Sequence, residues 1–200
     1  MSGNRPASKA SSGTIARVGV LGAVAAILFY FPEIPVIGFY QLDFSNLPAL
    51  LGGFAMGPWA GLAIVAIKDV TGLLHSTSAM VGEVADFLCS GAFVVVSALI
   101  YQRHKTYKGA LAGMGAGIAV MALVGALANY YIMIPFYIGR MGFPEEQIIG
   151  MMAAVIPAVD SIFKLILLVT LPFNLLKGVV LCALTLLLYK RLSGLLHGRR

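Results

Sequence analysis

Long apolar segments dominate this sequence, and residues 109–139 contain no charged side chain at all. A segment that crosses a bilayer as a helix needs about 20 apolar residues. In lipid the backbone must satisfy its own hydrogen bonds, so that only helices or a closed barrel can span it. The segments lack the strict alternation of apolar and polar residues that marks a barrel strand. They therefore predict an all-α membrane protein.

The composition excludes a soluble domain. Hydrophobic residues make up 60% of the 200 positions and charged residues only 11%, with a mean hydropathy of +0.92. Soluble domains carry about 25% charged residues. The chain is therefore predicted to lie in the lipid bilayer. At roughly 20 residues per transmembrane helix, it is long enough for six such helices.

Prolines, glycines and polar runs divide the apolar segments into a six-transmembrane-helix bundle. The predicted second span is short, because about ten residues rise only ~15 Å, and protein or a cavity is expected behind it. Residues 148–171 are apolar but are interrupted by Pro157, Asp160 and Lys164. The predicted spans are 15–31, 47–57, 59–74, 80–101, 109–137 and 172–192. The domain prediction is a disordered cytoplasmic tail at 1–13, the membrane domain at 14–192 and a basic cytoplasmic tail at 193–200.

Basic residues collect in three regions that a six-span topology places on one side of the membrane. Cytoplasmic loops carry an excess of Lys and Arg, so both termini are predicted to be cytoplasmic. The net charge of +6 is explained in this way, and no stretch interleaves basic and aromatic residues as an RNA-binding surface would. Nucleic acid is therefore not a predicted partner. The basic residues are Arg5, Lys9, Arg17, Arg103, Lys105, Lys108, Lys190, Arg191, Arg199 and Arg200.

Several ionisable side chains fall within or beside the apolar segments. Each costs about 2.5–3.5 kcal/mol at the centre of a membrane helix and therefore usually faces a cavity or a partner. Lys68 and Asp69 are predicted to form an internal ion pair. Asp160 and Lys164 have the i,i+4 spacing that pairs charges along a helix.

Glu83 and Asp86 are three residues apart and so lie on one helix face. Such a pair is able to coordinate a cation or to act as acid and base; alternatively, it is solvated or bonded to loop backbone at a helix end. With His75 it defines one alternative function, an intramembrane enzyme. The sequence has no HExxH, phosphate-loop or nucleophile-elbow motif, so the prediction is a non-enzyme without a cofactor.

A second group of polar residues suggests a binding site. Asn174 and Lys177 share a helix face, and Asn129 lies near the end of the preceding long span. Amides supply both donors and acceptors while Lys supplies only donors, a set suited to the edge of a flat polar heterocycle. Interhelical hydrogen bonding is the other interpretation.

Small residues in the first span form a further pattern. Gly19 with Ala23 and Gly22 with Ala26 are spaced so that another helix can approach closely. These pairs serve either docking of a partner helix or packing within the bundle.

Five stretches resemble one family. Leu-Asp-Phe-Ser-Asn-Leu-Pro at 42–48 and Leu-Gly-Gly-Phe-Ala-Met-Gly-Pro at 51–58 resemble the first loop and second helix of substrate-binding S components of energy-coupling factor (ECF) vitamin transporters. Gly-Glu-Val-Ala-Asp-Phe at 82–87, Asn-Tyr-Tyr at 129–131 and, most specifically, Pro-Phe-Asn-Leu-Leu-Lys-Gly at 172–178 resemble the riboflavin-specific (RibU-type) members.

The resemblance implies a cell-membrane protein that captures riboflavin from outside for ATP-driven uptake. It implies as partners an ECF transmembrane T subunit and two ABC ATPase subunits, with docking through Gly19 and Ala23. Capture of another vitamin such as thiamine, or facilitation without an ATPase, are the alternatives. The implied flavin site combines polar residues that bind the ring, the first loop that covers the ligand, the fourth-helix motif and aromatic side chains that form its walls. The other interpretation of these aromatic side chains is packing in the helix core. Its residues are Asn129, Asn174, Lys177, Leu42, Asp43, Phe44, Glu83, Asp86, Tyr130, Tyr131 and Phe173.

Overall fold

The computed structural model describes residues 11–31, 34–37, 40–76 and 78–196. Most of the predicted N-terminal tail, and the last four residues, lie outside this part of the chain. The last helix continues to Leu196, past position 192 where the prediction ended it. The helices are α1 (Ser12–Tyr30), α2 (Asn46–Met56), α3 (Pro58–Gly72), α4 (Val81–Arg103), α5 (Tyr107–Ala128), α6 (Ile134–Gly139), α7 (Glu145–Ala153), α8 (Ile162–Leu165) and α9 (Leu171–Leu196).

The loop after α1 contains a small β-hairpin, which the all-α prediction did not include. Strands β1 (Ile34–Ile37) and β2 (Tyr40–Leu42) pair antiparallel, with Ile34 opposite Leu42. The β-branched residues of β1 favour the extended conformation. The helical prediction therefore holds for the long apolar segments, but the loop that leads into α2 is a two-stranded sheet.

The second and third helices form the predicted broken pair. α2 ends before Gly57, whose φ of +104° favours glycine, and Pro58 is the first residue of α3. Proline suits this position because the first helical N–H has no intrahelical acceptor. Most of α2 is buried against neighbouring helices, so a helix too short to span the bilayer is surrounded by protein, as predicted.

The fifth predicted span is one long helical segment that widens into a π turn. α5 continues through the π turn Asn129–Met133 into α6, and the N–H of Ile134 donates to the carbonyl of Asn129, five residues back. Pro135 follows directly. Because proline removes an N–H and its ring clashes with the carbonyl four residues earlier, the wider turn allows the helix to continue.

The last span repeats this arrangement and corrects one prediction. The helix does not begin at Pro172; it begins at Ile162 and passes through the π turn Ile166–Thr170 into α9. The N–H of Leu171 donates to the carbonyl of Ile166, again five residues back. The prediction was wrong because it treated the proline as a helix start, whereas the π turn accommodates it inside the helix.

Four helical segments among the described residues are long and apolar enough to cross a membrane. They are Ser12–Tyr30, Val81–Arg103, Tyr107–Gly139 and Ile162–Leu188. α2 and α3 are apolar but shorter. The fold is therefore that of a helical membrane protein with four candidate spans and two shorter helices.

Two hydrophobic clusters organise the interior. The larger joins α1 to α5 and α9 and includes Leu50, Phe54 and Phe93. The smaller gathers the hairpin, α6, α7 and the start of the last span, and includes Tyr40 and Phe173. The candidate site lies where these two clusters meet.

Candidate functional site

A cavity of about 220 Å³ lies at the end of the bundle where α1 ends and α4 begins. Five regions form its walls: the end of α1, the hairpin loop, the first turns of α4, the π turn of the fifth span and the start of α9. Both apolar and polar side chains line it. The lining residues are Phe29, Tyr40, Gln41, Asp43, Gly82, Ala85, Asp86, Cys89, Asn129, Met133, Phe173, Asn174 and Lys177.

The cavity brings together six of the eleven predicted ligand-binding residues. These are Asp43, Asp86, Asn129, Phe173, Asn174 and Lys177. They come from the first loop and three different helices. Spacing within one helix predicted only that Asn174 and Lys177 share a face. The fold brings the other four residues next to them.

Five predicted residues do not line this cavity: Leu42, Phe44, Glu83, Tyr130 and Tyr131. Tyr130 and Tyr131 are 45% and 70% exposed, and their rings pack edge to face on each other with centroids 4.9 Å apart. The aromatic slot expected from these two tyrosines is therefore not formed by them. Phe29, Tyr40 and Phe173 supply the aromatic walls instead.

Glu83 has a local role at the start of α4. Its carboxylate accepts hydrogen bonds from Ser76 Oγ at 2.9 Å and Ser78 Oγ at 3.1 Å. This matches the interpretation in which the carboxylate bonds to the adjoining loop. Among the residues that the structure describes, no group of three His, Cys, Asp or Glu side chains is placed to hold a metal ion. The His75 side chain lies outside that description.

Two buried lysines and three aspartates form one charge network beside the cavity. Lys177 Nζ lies 2.7 Å from Asp43 Oδ2 and 3.5 Å from Asp86 Oδ1. The other oxygen of Asp86 pairs with Lys68, which also lies 2.8 Å from Asp69 Oδ1. The predicted Lys68–Asp69 pair is confirmed, but Lys68 also contacts the cavity wall through Asp86. The predicted Asp160–Lys164 pair is confirmed too, in an exposed position.

Asp43 attaches the first loop to this network. Its Oδ1 accepts from the backbone N–H of Ser45 at 2.9 Å and from the Ser45 hydroxyl. Burial raises the pKa of the Asp43 carboxyl, but the Lys177 and Lys68 ammonium groups together outweigh this effect and hold the pKa below its ordinary value. Asp43 is therefore ionised at neutral pH and pairs the loop with α9.

The two predicted amides are each fixed by a carbonyl four residues back. Asn129 Nδ2 donates to the carbonyl of Gly125, and Asn174 Nδ2 donates to the carbonyl of Thr170, both at 2.9 Å. Asn129 Oδ1 also accepts from the hydroxyl of Tyr40 at 3.2 Å. Tyr40 was not predicted as a site residue, because it precedes the recognised loop motif and becomes a neighbour only through the hairpin.

Gly125 permits the close approach of the fifth and last spans at the site. A Cβ placed there would lie 2.7 Å from Asn174 Nδ2. We expect Gly125→Ala to displace Asn174 and to weaken ligand binding about 10-fold, as measured by titration of the purified protein. Gly115→Ala, on the same helix with nothing within 4 Å, is the matched control. Equal affinities of the two variants would contradict this role of Gly125.

The two small-residue pairs of α1 point in different directions. A Cβ on Gly22 would lie 2.8 Å from Ile67, so this position packs against α3 within the bundle. Gly19 has nothing within 4 Å of its Cβ position, and both Gly19 and Ala23 are exposed. Large apolar neighbours on α1 are exposed as well, Val20 at 65% and Ile27 at 66%.

These features define a class: a helical membrane protein with a ligand-sized cavity of convergent polar and aromatic groups at one end of its bundle. Residues 13–189 match the sequence model of the family "ECF transporter, substrate-specific component". The chain therefore belongs to the family of ECF transporter substrate-specific components.

Individual relatives agree with this assignment. The chain is 30% identical over 199 residues to the riboflavin transporter RibU of Staphylococcus aureus, with 98% of each chain covered. It is 27% identical to the riboflavin transporter FmnP of Bacillus subtilis over 92% of this chain and 93% of the relative. A solved structure described as the S component of a bacterial ECF transporter superposes with a TM-score of 0.70 at 28% identity, covering 94% of this chain and 98% of the other. These relatives are transport components, so the enzyme alternative gains no support.

Proposed function

We propose that this chain is a riboflavin-binding S component of an ECF-type importer. The observation that carries the proposal is the convergence of Asn129, Asn174 and Lys177 with aromatic side chains around one cavity. The names of the relatives support the choice of riboflavin as cargo.

The chemistry of the cavity suits a flavin. Small-molecule sites are mostly apolar with a few precisely placed polar groups that fix orientation. A flavin ring offers flat apolar faces to Phe29 and Phe173, and its carbonyl and imide edge offers acceptors and a donor. Amides match both kinds of group, and the lysine ammonium donates to acceptors.

Direct titration tests the proposal. The purified protein in detergent is expected to quench riboflavin fluorescence with a saturable curve, and thiamine is expected not to compete. Absence of riboflavin binding at micromolar concentration would overturn the proposal. Binding of thiamine in its place would assign the same fold to another vitamin.

We further propose that the exposed face of α1 around Gly19 and Ala23 docks on the T subunit, which two ABC ATPases energise. An exposed strip of small residues lets a partner helix approach closely. Gly19→Leu is expected to abolish copurification of the T subunit while riboflavin affinity stays unchanged. Gly115→Leu, an exposed glycine on α5, is the control. Copurification of Gly19→Leu at the wild-type level would rule out this docking face. Uptake in cells that lack the T subunit and ATPases would favour the facilitator alternative.

The membrane arrangement belongs to the same proposal: six spans in the cell membrane with both termini in the cytoplasm. The basic loop between α4 and α5 supports this orientation. Labelling of single introduced cysteines in intact cells with a membrane-impermeant reagent tests it. A cysteine at position 105 is expected to be protected, and one at position 142 to be labelled.

A further inference from the structure

Tyr40 connects the hairpin to both π turns. Its hydroxyl lies 3.2 Å from Asn129 Oδ1 and 2.5 Å from Thr170 Oγ1. Asn129 opens the π turn of the fifth span and Thr170 closes that of the last span. The ring of Tyr40 also packs on Phe173, with centroids 4.9 Å apart. One buried side chain therefore contacts both helices at the points where each one widens.

These contacts hold the Asn129 amide in one orientation. Its Nδ2 donates to the carbonyl oxygen of Gly125, and the reversed amide would place Oδ1 against that oxygen, two acceptors in contact. Its Oδ1 in turn accepts from the Tyr40 hydroxyl. The amide nitrogen carries two N–H groups, and Gly125 accepts one of them. The second N–H has no partner among the hydrogen bonds of the described residues, and Asn129 lines the cavity.

We infer that Tyr40 is a positioning residue for ligand binding, which fixes Asn129 as a donor so that the site selects a flat ring presenting a carbonyl acceptor. This inference rests on the proposed function and deepens it. Without the phenol hydroxyl, Asn129 loses one of the two bonds that set its orientation. The site would then discriminate less well between ring edges with strong and with weak acceptors.

Tyr40→Phe tests the inference, because it removes the hydroxyl and keeps the ring on Phe173. We expect it to weaken riboflavin binding about 10-fold, since a buried hydrogen bond is lost. The specific measurement is the affinity ratio of riboflavin to its 2-thio and 4-thio analogues, whose thiocarbonyl sulfur is a weak acceptor. The wild type is expected to prefer riboflavin over at least one analogue, and Tyr40→Phe to lose most of that preference. Tyr107→Phe, an exposed tyrosine at the start of α5, is the control.

A double-mutant cycle with Asn129→Ala identifies the route of the effect. If Tyr40 acts through Asn129, the loss caused by Tyr40→Phe is expected to disappear in the Asn129→Ala background. Thr170→Val breaks the same hydrogen-bonded chain from within the last span. It is expected to reduce the discrimination in the same direction, and it provides the test should Tyr40→Phe not fold.

The outcomes separate the inference from the proposed function. Failure of the wild type to bind riboflavin would overturn the proposed function and this inference with it. Riboflavin binding by the wild type with an unchanged affinity ratio in Tyr40→Phe would overturn the inference alone, since a packing role weakens all analogues equally. A full additional loss in the Asn129→Ala background would also overturn it.

Discussion

Lys177→Met is expected to lower riboflavin affinity by at least about 100-fold, which corresponds to ~2.7 kcal/mol. Lys177 lines the cavity and lies 2.7 Å from Asp43 and 3.5 Å from Asp86. Its removal takes away a charged donor from the proposed site and leaves the buried Asp43 carboxylate without its ion-pair partner, while Asp86 keeps Lys68. The free energy of unfolding should therefore also fall, by about 3–5 kcal/mol. Titration by fluorescence and denaturant unfolding in detergent measure the two effects.

The double variant Lys177→Met/Asp43→Asn separates binding from stability. It removes one positive and one negative charge together, so that the remaining network keeps its net charge. Replacing a whole buried pair by uncharged groups is often close to neutral for stability. We expect the double variant to recover most of the stability but not the riboflavin affinity. Recovery of binding would show that Lys177 acts only as the counter-ion of Asp43. Lys164→Met, which breaks an exposed pair, is the control and should bind normally.

Lys68→Met is expected to lower the free energy of unfolding as much as Lys177→Met does. The side chain is fully buried, pairs with both Asp69 and Asp86, and lies 4.9 Å from the centre of the Phe29 ring. Breaking such a group by removing one partner costs about 3–5 kcal/mol. Denaturant unfolding of the purified protein measures this loss.

Lys68 does not line the cavity, and this distinguishes it from Lys177. The double variant Lys68→Met/Asp69→Asn is expected to regain stability and to bind riboflavin within a few-fold of the wild type, because Asp86 keeps Lys177. A double variant that is stable but does not bind would instead assign Lys68 a part in ligand binding. The pair of double variants thus tests whether the network has a structural half and a binding half.

Patterns local to one helix were predicted well from the sequence. The i,i+4 pairing of Asp160 with Lys164, and the Gly57-Pro58 break between α2 and α3, follow from backbone geometry and side-chain spacing. The start of the last span was predicted wrongly at Pro172, because the rule that proline ends a helix does not anticipate a π turn. The hairpin was also missed, since a short strand in a loop is defined by its partner strand.

Pairings between segments that are distant in the chain could not be predicted from the sequence. Asp43 and Lys177 are 134 positions apart, and Tyr40 contacts Asn129 and Thr170 only because the hairpin folds onto two helices. Tyr130 and Tyr131 are adjacent to Asn129 in the chain, yet they are exposed. Proximity in sequence was therefore a poor guide to which aromatic rings form the cavity wall.

The sequence by itself determined that this chain lies in a membrane as a helical protein and that its polar residues in apolar segments must be paired or face a cavity. The reason is that unpaired charges and backbone groups have a high free energy in lipid. The composition alone is enough to indicate that the chain lies there. Only the tertiary structure decided which charges pair and which face of α1 is exposed. It also decided that Tyr40 rather than Tyr130 or Tyr131 reaches the site. Those outcomes depend on helix rotation, on two π turns and on loop closure, and none of these is encoded in local spacing.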